Sequence, residues 1–170
     1  MNKLNFLEYL VEYQSDSIEL FESRKGLYNY LKQEFPSFPD YIVYDFLYQQ
    51  AKTIDSQEQL EEWLYGIKKD YSHLRWTLKN IPITITSFNP ETIRKFKERG
   101  MGQSNPYGVR NDEERNATQR EMIVKNGVSK EPIIVVKTNN GYELLEGWHR
   151  TMQHLNAFPQ GYTGPAWIGE

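Results

Sequence analysis

Residues 131–157 have the sequence EPIIVVKTNNGYELLEGWHRTMQHLNA, and this segment decides the fold. It begins with a β-branched run at 133–136, and an extended pattern resumes at 142–145. Between them, the Asn-Asn-Gly sequence at 139–141 tolerates the positive φ angles of a tight turn. The segment therefore predicts a β-hairpin whose second strand leads directly into the next element.

The second strand ends at a corner marked by Gly147, and a helix is predicted to follow it. Residues 148–158 carry helix formers and contain no Pro or Gly before Pro159. The helix is therefore expected to begin within a residue or two of His149 and Arg150. Such a corner has unpaired backbone N–H groups and the positive end of the helix dipole. An arginine adds a positive charge that can donate two parallel hydrogen bonds. The sequence thus predicts a phosphate-binding site here.

Four residues of the corner are candidates for binding phosphate, namely Gly147, His149, Arg150 and Thr151. A glycine at a helix start lets the backbone approach a ligand closely, although Gly147 also suits a plain turn. His149 suits either capping or packing, or donation of a hydrogen bond to a phosphate. Arg150 suits either an ion pair with a surface acid or phosphate binding, and its position favours the phosphate.

Two residues of the corner are candidates for catalysis, Glu146 and His149. A carboxylate beside a phosphate site can act as a general base or as a Mg²⁺ ligand, although Glu146 also suits an ordinary strand end. A histidine can shuttle a proton near neutral pH. Trp148 is expected to pack in the core, with stacking on a base as the alternative.

The first 75 residues predict three or four packed helices. Apolar residues recur at near-helical spacing over 4–21, 24–35 and 40–50, and Ser56 with Gln59 forms a capping-box pattern for a further helix. Tyr, Phe and Trp are abundant in this region. Aromatic residues at helical spacing usually form core, which we favour over a surface that binds a protein partner or stacks on nucleic acid.

Beyond residue 75 the hydrophobic period changes from helical to alternating. Isoleucines alternate with other residues over 81–86 and predict a strand, and Pro82 indicates a position at the edge of a sheet. A helix is predicted over 90–100, with Asn89 as its N-cap and Gly100 at its end. Its basic residues favour a solvated face over a nucleic-acid contact; they are Arg94, Lys95, Lys97 and Arg99.

Residues 100–108, GMGQSNPYG, form the least regular segment of the chain. Such a loop is either a mobile connector or a lid over a ligand. It lacks the Gly-Lys-Ser/Thr ending of a P-loop. A helix over 111–126 is predicted next, because acids lie in its first turn and a glycine follows it. Gln119 and Arg120 on this helix are candidates to face the pocket.

Three passages in the C-terminal half resemble the ParB/sulfiredoxin superfamily. They are IPITITSFNPETIRKF at 81–96, REMIVKNGVSKEPIIVV at 120–136 and GYELLEGWHRTMQHL at 141–155. The third is similar to the box in which a strand ends at Gly-x-(His or Arg)-Arg and the next helix holds nucleotide phosphates. Sulfiredoxins carry their catalytic cysteine where this chain has Trp148. Since the chain contains no cysteine, reduction of cysteine sulfinic acid is excluded.

The resemblance covers about the last 95 residues, which is the size of a small domain. It implies that the corner binds ATP or another nucleotide, with Mg²⁺ as the accompanying ion. It also implies that the loop at 100–108 contributes to the nucleotide pocket. Glu146 falls in an acid-Gly-x-x-Arg pattern similar to that of ADP-dependent serine kinases of this fold. This resemblance favours a role for Glu146 as a general base or magnesium ligand over an ordinary strand end.

Composition sets limits on the class of protein. The chain has 170 residues, of which 25% are charged and 14% aromatic, as expected of a folded soluble protein. No apolar run approaches the roughly 20 residues needed to span a bilayer, and no signal region begins the chain, so we expect a cytoplasmic protein without a membrane partner. His149 and His154 are five residues apart and no cysteine is present, so a zinc site is not predicted.

Charge differs between the two parts of the chain. Residues 1–75 carry a net charge of −5 and residues 76–170 a net charge of +2. The basic excess therefore lies with the predicted phosphate site. It is too small to indicate extensive binding of duplex DNA.

Taken together, the sequence predicts an α+β protein with a helical region at 1–75 and a ParB/sulfiredoxin-like domain with a small mixed sheet at 76–170. Three functions remain open. The first is a nucleotide-dependent phosphotransferase or nucleotide hydrolase. The second is a ParB-like DNA nuclease or DNA-binding protein, which the acidic pI of about 5.7 disfavours. The third is a module that binds a protein partner through its N-terminal helices and has an idle nucleotide pocket.

Overall fold

The computed structural model describes residues 18–54, 56–100 and 112–170. Contacts divide the chain into two compact units, Met1–Arg75 and Trp76–Glu170. The described part of the first unit is helical, and the second unit combines helices with a four-stranded sheet. The predicted α+β class is therefore confirmed. Most of the predicted helix over 4–21 and of the predicted loop over 100–108 lies outside the described residues.

Helices account for the regular structure described in the N-terminal unit. They are α1 (Ile18–Glu34), a continuous segment made of α2 (Asp40–Ile42), a π-helix (Val43–Tyr48) and α3 (Gln49–Ala51), and α4 (Gln57–Tyr71). The predicted helix over 24–35 begins earlier, at Ile18. Ser56 caps α4 as its sequence pattern predicts, because its Oγ accepts a hydrogen bond from the Gln59 N–H at 3.2 Å.

The core of the N-terminal unit is made of aliphatic and aromatic side chains. Its most buried members include Leu27, Leu31, Phe35, Phe38, Ile42 and Leu47. Phe46 is also buried and contacts the rings of Trp63 and Tyr71 edge to face. The buried aromatic residues Phe35, Phe38, Phe46 and Tyr48 are therefore core, as their helical spacing indicates. Tyr44 and Tyr65 are exceptions with exposed side chains.

The sheet of the C-terminal unit has the order β1-β4-β2-β3. Its strands are β1 (Trp76–Ile83), β2 (Ile133–Thr138), β3 (Gly141–Glu146) and β4 (Tyr162–Gly169). β4 pairs antiparallel with β1 and parallel with β2, while β2 and β3 form the predicted antiparallel hairpin. The continuous apolar run of β2 is explained by its central place, because Ile133 to Val136 are all buried.

The predicted strand over 81–86 is wrong in its bounds. The strand begins at Trp76 and ends at Ile83, and a short 3₁₀ helix follows at Ile85–Ser87. Thr84 stops the strand because it caps this helix, with its backbone N–H donating to the Ser87 hydroxyl at 3.0 Å. The edge position indicated by Pro82 is correct, since β1 is the first strand of the sheet.

Among the described residues, three helices accompany the sheet: α5 (Pro90–Gly100), α6 (Asp112–Asn126) and α7 (Trp148–Ala157). The predicted cap of α5 is confirmed, because Asn89 Oδ1 accepts a hydrogen bond from the Thr92 N–H at 2.8 Å. The helix predicted over 111–126 is also confirmed, and Gly127 ends it with a φ of 71°. Across the described residues, we find no helix of the length and apolar character that a membrane crossing requires.

A single apolar cluster joins the sheet to α5 and α7. It comprises Ile83, Phe88, Phe96, Ile133, Val135, Leu144, Trp148, Met152, Ala166 and Ile168. Trp148 contacts Phe96 with ring centroids 5.5 Å apart, and its Nε1–H donates to the Leu145 carbonyl at 3.3 Å. The expectation that Trp148 packs is therefore confirmed. This packing fixes the first turn of α7 against the sheet.

Candidate functional site

The corner between β3 and α7 depends on Gly147. This residue has φ 96° and ψ 24°, and its carbonyl accepts the first helical hydrogen bond, from the Thr151 N–H at 2.8 Å. A Cβ at this position would lie 2.8 Å from Cγ2 of Ile133. Both the backbone conformation and the lack of space therefore require glycine. The sequence correctly predicts a strand end, a glycine turn and a helix start at these positions.

The side chain of Arg150 projects from the first turn of α7 and contacts the segment that leads into β2. Its Nη1 forms an ion pair with Glu131, and its Nη2 donates to the Pro132 carbonyl at 3.0 Å. Its Nε is buried without a hydrogen-bond partner. The Arg150 side chain is 13% exposed and that of Glu131 is 71% exposed. The structure thus shows Arg150 in an ion pair, which is one of its two predicted roles. Its partner Glu131 faces solvent.

Thr151 is fully buried beside Arg150. Its Oγ1 makes no hydrogen bond of normal geometry, and the polar group that faces it is the hydroxyl of Tyr162. Burial raises the pKa of Tyr162 to about 12, although Thr151 and the charge of Arg150 oppose the shift. The tyrosine is therefore neutral at physiological pH.

The two predicted catalytic residues, Glu146 and His149, flank the start of α7 in the chain. His149 is buried, but successive residues of a helix point in different directions, so its side chain diverges from that of Arg150. Glu146 is half-buried at the end of β3, opposite Ile134, where the register of the hairpin shifts.

His154 is a residue of this region whose role the sequence did not predict. Its Nε2 accepts a hydrogen bond from the Ser129 N–H at 2.9 Å, so its Nδ1 must carry the proton and donate to the Arg150 carbonyl at 2.8 Å. Burial lowers the pKa of His154 below its usual 6.5. The ring is therefore a neutral connector between α7 and the segment before β2, and both its nitrogen atoms are occupied.

A shallow depression lies between the residues that hold Arg150 and His154. Ser129, Glu131, Tyr162 and Pro165 are among the residues that line it. Its free volume of about 10 Å³ has room for roughly one water molecule. A nucleotide is far larger, so this depression can receive a phosphate oxygen or a water but not a whole nucleotide.

The chain matches no known protein family, no curated protein and no solved structure. The resemblance to the ParB/sulfiredoxin superfamily therefore stays a prediction.

Some basic residues of α5 and α6 form ion pairs with acids of their own helix. On α5, Arg94 pairs with Glu91 at 2.7 Å and with Glu98, and Lys95 lies 3.6 Å from Glu91. This pairing agrees with a solvated helix face. On α6, Arg120 is exposed and pairs with Glu113 at 3.0 Å.

One buried residue of α6 was missed by the sequence analysis. Asn116 is almost fully buried, and its Oδ1 has no hydrogen-bond partner. An asparagine in a polar helix gives no signal by type or spacing, because its burial depends on which neighbour packs against it. Within the described ranges, no group of three or more His, Cys, Asp or Glu residues is arranged to hold a metal ion.

Proposed function

We propose that the C-terminal unit binds a nucleotide through its phosphates at the N-terminus of α7, and that it acts as a nucleotide-dependent phosphotransferase or nucleotide hydrolase. The observation that supports this proposal is the geometry of the corner. A positive-φ glycine ends a strand and begins a helix, and the first turn of that helix places two buried polar atoms without hydrogen-bond partners, Arg150 Nε and Thr151 Oγ1. Such a helix start attracts anions.

Arg150 can bind a phosphate only if the phosphate replaces Glu131 as its partner. Its hydrogen bond to the Pro132 carbonyl holds the guanidinium in place, while Glu131 is mostly exposed. Because the Glu131 carboxylate faces solvent, it can turn into water when a phosphate takes its place beside Arg150. A phosphate group with one or two negative charges offers Arg150 a stronger, charge-assisted replacement.

The chemistry would use the residues on either side of Gly147. Mg²⁺ usually binds proteins through one or two carboxylates together with substrate phosphates, and Glu146 offers one carboxylate directly before the helix start. The donor set thus fits a phosphate-bound Mg²⁺, which would neutralise charge on the phosphates. Glu146 or His149 would accept the proton of the attacking hydroxyl or water.

DNA binding has less support in the described residues. The basic face of α5 is the element that would contact a DNA backbone, but Arg94 and Lys95 are paired with acids of the same helix. Neutralised side chains contribute little to the release of counterions from phosphates. Nucleotide binding is therefore the function that the site supports best.

Calorimetric titration of the full chain with ATP, ADP and CTP, with and without Mg²⁺, tests the proposal. We expect saturable binding by the wild type and a loss of about 10- to 100-fold in affinity for Arg150→Ala, since charge-assisted hydrogen bonds contribute roughly 1.5–3 kcal/mol. Arg150→Lys should retain part of the affinity, because it keeps the charge without the planar fork. Glu131→Gln should bind up to about 5-fold more tightly, because the competing carboxylate is gone.

Glu98→Gln is the matched control, since it also removes one carboxylate from an arginine ion pair, but on α5. Its affinity should equal that of the wild type. Binding of none of the three nucleotides, or equal binding by the wild type and a folded Arg150→Ala variant, would contradict the proposed function.

A further inference from the structure

Asn116, like Thr151, is a buried polar residue of the C-terminal unit with an unsatisfied side-chain oxygen. It is 4% exposed, and its Oδ1 has no hydrogen-bond partner. By contrast, Thr92 is buried with its Oγ1 accepting a hydrogen bond from the Leu144 N–H at 3.2 Å, and both nitrogens of His154 are bonded. Most buried polar groups in proteins are satisfied in this way, so an unsatisfied one requires an explanation.

The packing of α6 against α7 locates this amide. Asn116 and Ile123 are the buried positions of α6, two helical turns apart on one face, and α6 packs against α7. Ser129 lies three residues after the end of α6. Its backbone N–H donates a hydrogen bond to Nε2 of His154, which is near the C-terminal end of α7. The C-terminal ends of the two helices therefore lie together.

The length of the helices then places Asn116 at the other end. It precedes the last residue of α6 by ten positions, which corresponds to about 15 Å of helix, and α7 with its ten residues is about 15 Å long. Asn116 thus lies level with the N-terminal end of α7, where Gly147 forms the corner. We infer that its amide oxygen faces the ligand that this corner binds.

The unsatisfied atom of Asn116 is an amide oxygen, and its chemistry indicates which part of the nucleotide it contacts. An amide oxygen only accepts hydrogen bonds, and a phosphate at neutral pH has mainly acceptors to offer. A nucleoside supplies donors, either the hydroxyls of its ribose or the amino group of its base. We propose that Asn116 accepts a hydrogen bond from the nucleoside part of the nucleotide whose phosphates lie at the start of α7, an inference that rests on the proposed function.

The test compares Asn116→Leu with the wild type in the full chain. Leucine has nearly the same shape and removes the unsatisfied Oδ1, so the variant should be about as resistant to denaturant as the wild type. Its affinity for ATP and CTP should nevertheless fall by roughly 10-fold, because a nucleoside donor loses its acceptor. Its affinity for tripolyphosphate, which has no nucleoside, should be unchanged. Asn126→Leu, at an exposed position of the same helix, should match the wild type throughout.

Two further ligands identify the donor. If Asn116→Leu binds 2′-deoxy-ATP as well as the wild type does, the ribose hydroxyl is the donor. If it binds inosine triphosphate as well as the wild type does, the amino group of the base is the donor.

Other outcomes would overturn the inference in distinguishable ways. Nucleotide affinity that is the same in wild type and Asn116→Leu, with lower stability of the variant, would make Asn116 a purely structural residue and leave the proposed function intact. Equal losses for nucleotides and tripolyphosphate would place its contact on the phosphates. If the wild type binds none of the probes, the proposed function fails and the role of Asn116 fails with it.

Discussion

Gly147 is the residue on which the corner most directly depends, and its replacement should be destabilising. We expect Gly147→Ala to lower the free energy of unfolding by about 1–3 kcal/mol, because alanine is strained at a φ of 96° and its Cβ would lie 2.8 Å from Ile133. Denaturant unfolding followed by circular dichroism measures the change.

A glycine in a different setting provides the control for this substitution. Gly66 lies within α4, and a Cβ there would meet no atom within 4 Å. Gly66→Ala should therefore raise the free energy of unfolding by up to about 1 kcal/mol, through helix propensity alone. A Gly147→Ala variant as stable as the wild type would contradict the strain assigned to the corner.

His154 should make the stability of the protein depend on pH. Its pKa in the folded state lies below its usual 6.5, so at mildly acidic pH the unfolded chain binds a proton that the folded chain does not. The contribution of His154 is therefore complete above pH 6.5 and decreases as the pH falls through the lower folded pKa. Denaturant unfolding at several values between pH 7.5 and 5 measures this slope.

The variant His154→Phe separates this effect from the other titrating groups. It removes the hydrogen bonds to Ser129 and Arg150, so we expect a loss of about 1–3 kcal/mol at neutral pH. The difference in stability between wild type and variant should shrink as the pH decreases below 6.5. A difference that is constant with pH would show that His154 does not carry the dependence.

At the scale of single elements, α5 should depend on its N-cap. Asn89→Ala removes the acceptor of the Thr92 N–H, and we expect it to destabilise the protein by about 1 kcal/mol. Asn89→Asp keeps an acceptor at the same place and should restore most of the stability. Thermal unfolding of the three proteins measures both effects, and equal stability of Asn89→Ala and wild type would refute the role of the cap.

The strands show how far an element can be predicted from its own residues. β2 and β3 were predicted because a β-branched run and an Asn-Asn-Gly turn are local signals. β1 was placed five residues late, and β4 was not predicted, since Pro165 and the glycine at position 164 interrupt its pattern. Pro165 faces Asn80 of β1 and directly precedes Ala166, the first residue of β4 that pairs with β2. Only the assembled sheet decides this placement.

At the scale of the whole molecule, the C-terminal unit should fold by itself. Residues 76–170 contain the complete sheet and its apolar cluster, and β1 begins at the first residue of this range. We expect the isolated fragment to unfold cooperatively, with a free energy of about 5–10 kcal/mol, as is usual for a domain of this size. Denaturant unfolding followed by tryptophan fluorescence is the appropriate measurement, because Trp148 is buried.

A shorter fragment is the control for this prediction. Residues 84–170 lack β1 and leave β4 unpaired along one edge, so their transition should be much less stable or absent. If residues 76–170 show no cooperative transition while the full chain does, the two units do not fold independently.

The sequence by itself determined the features that depend on close neighbours in the chain. The α+β class, the hairpin, the cap at Asn89 and the glycine corner at 147 follow from residues within a few positions of one another, because turns, caps and hydrophobic periods are local. For the same reason the sequence identified the start of α7 as the place to look for a ligand.

Only the tertiary structure decided which residues distant in the chain contact each other. Glu131 lies 19 positions before Arg150, and Ser129 lies 25 positions before His154, yet these contacts set the charge and the tautomer at the helix start. The burial of Asn116 likewise follows from the packing of α6 on α7. Such partners are selected by strand order and helix packing, and no short-range pattern in the chain encodes the outcome.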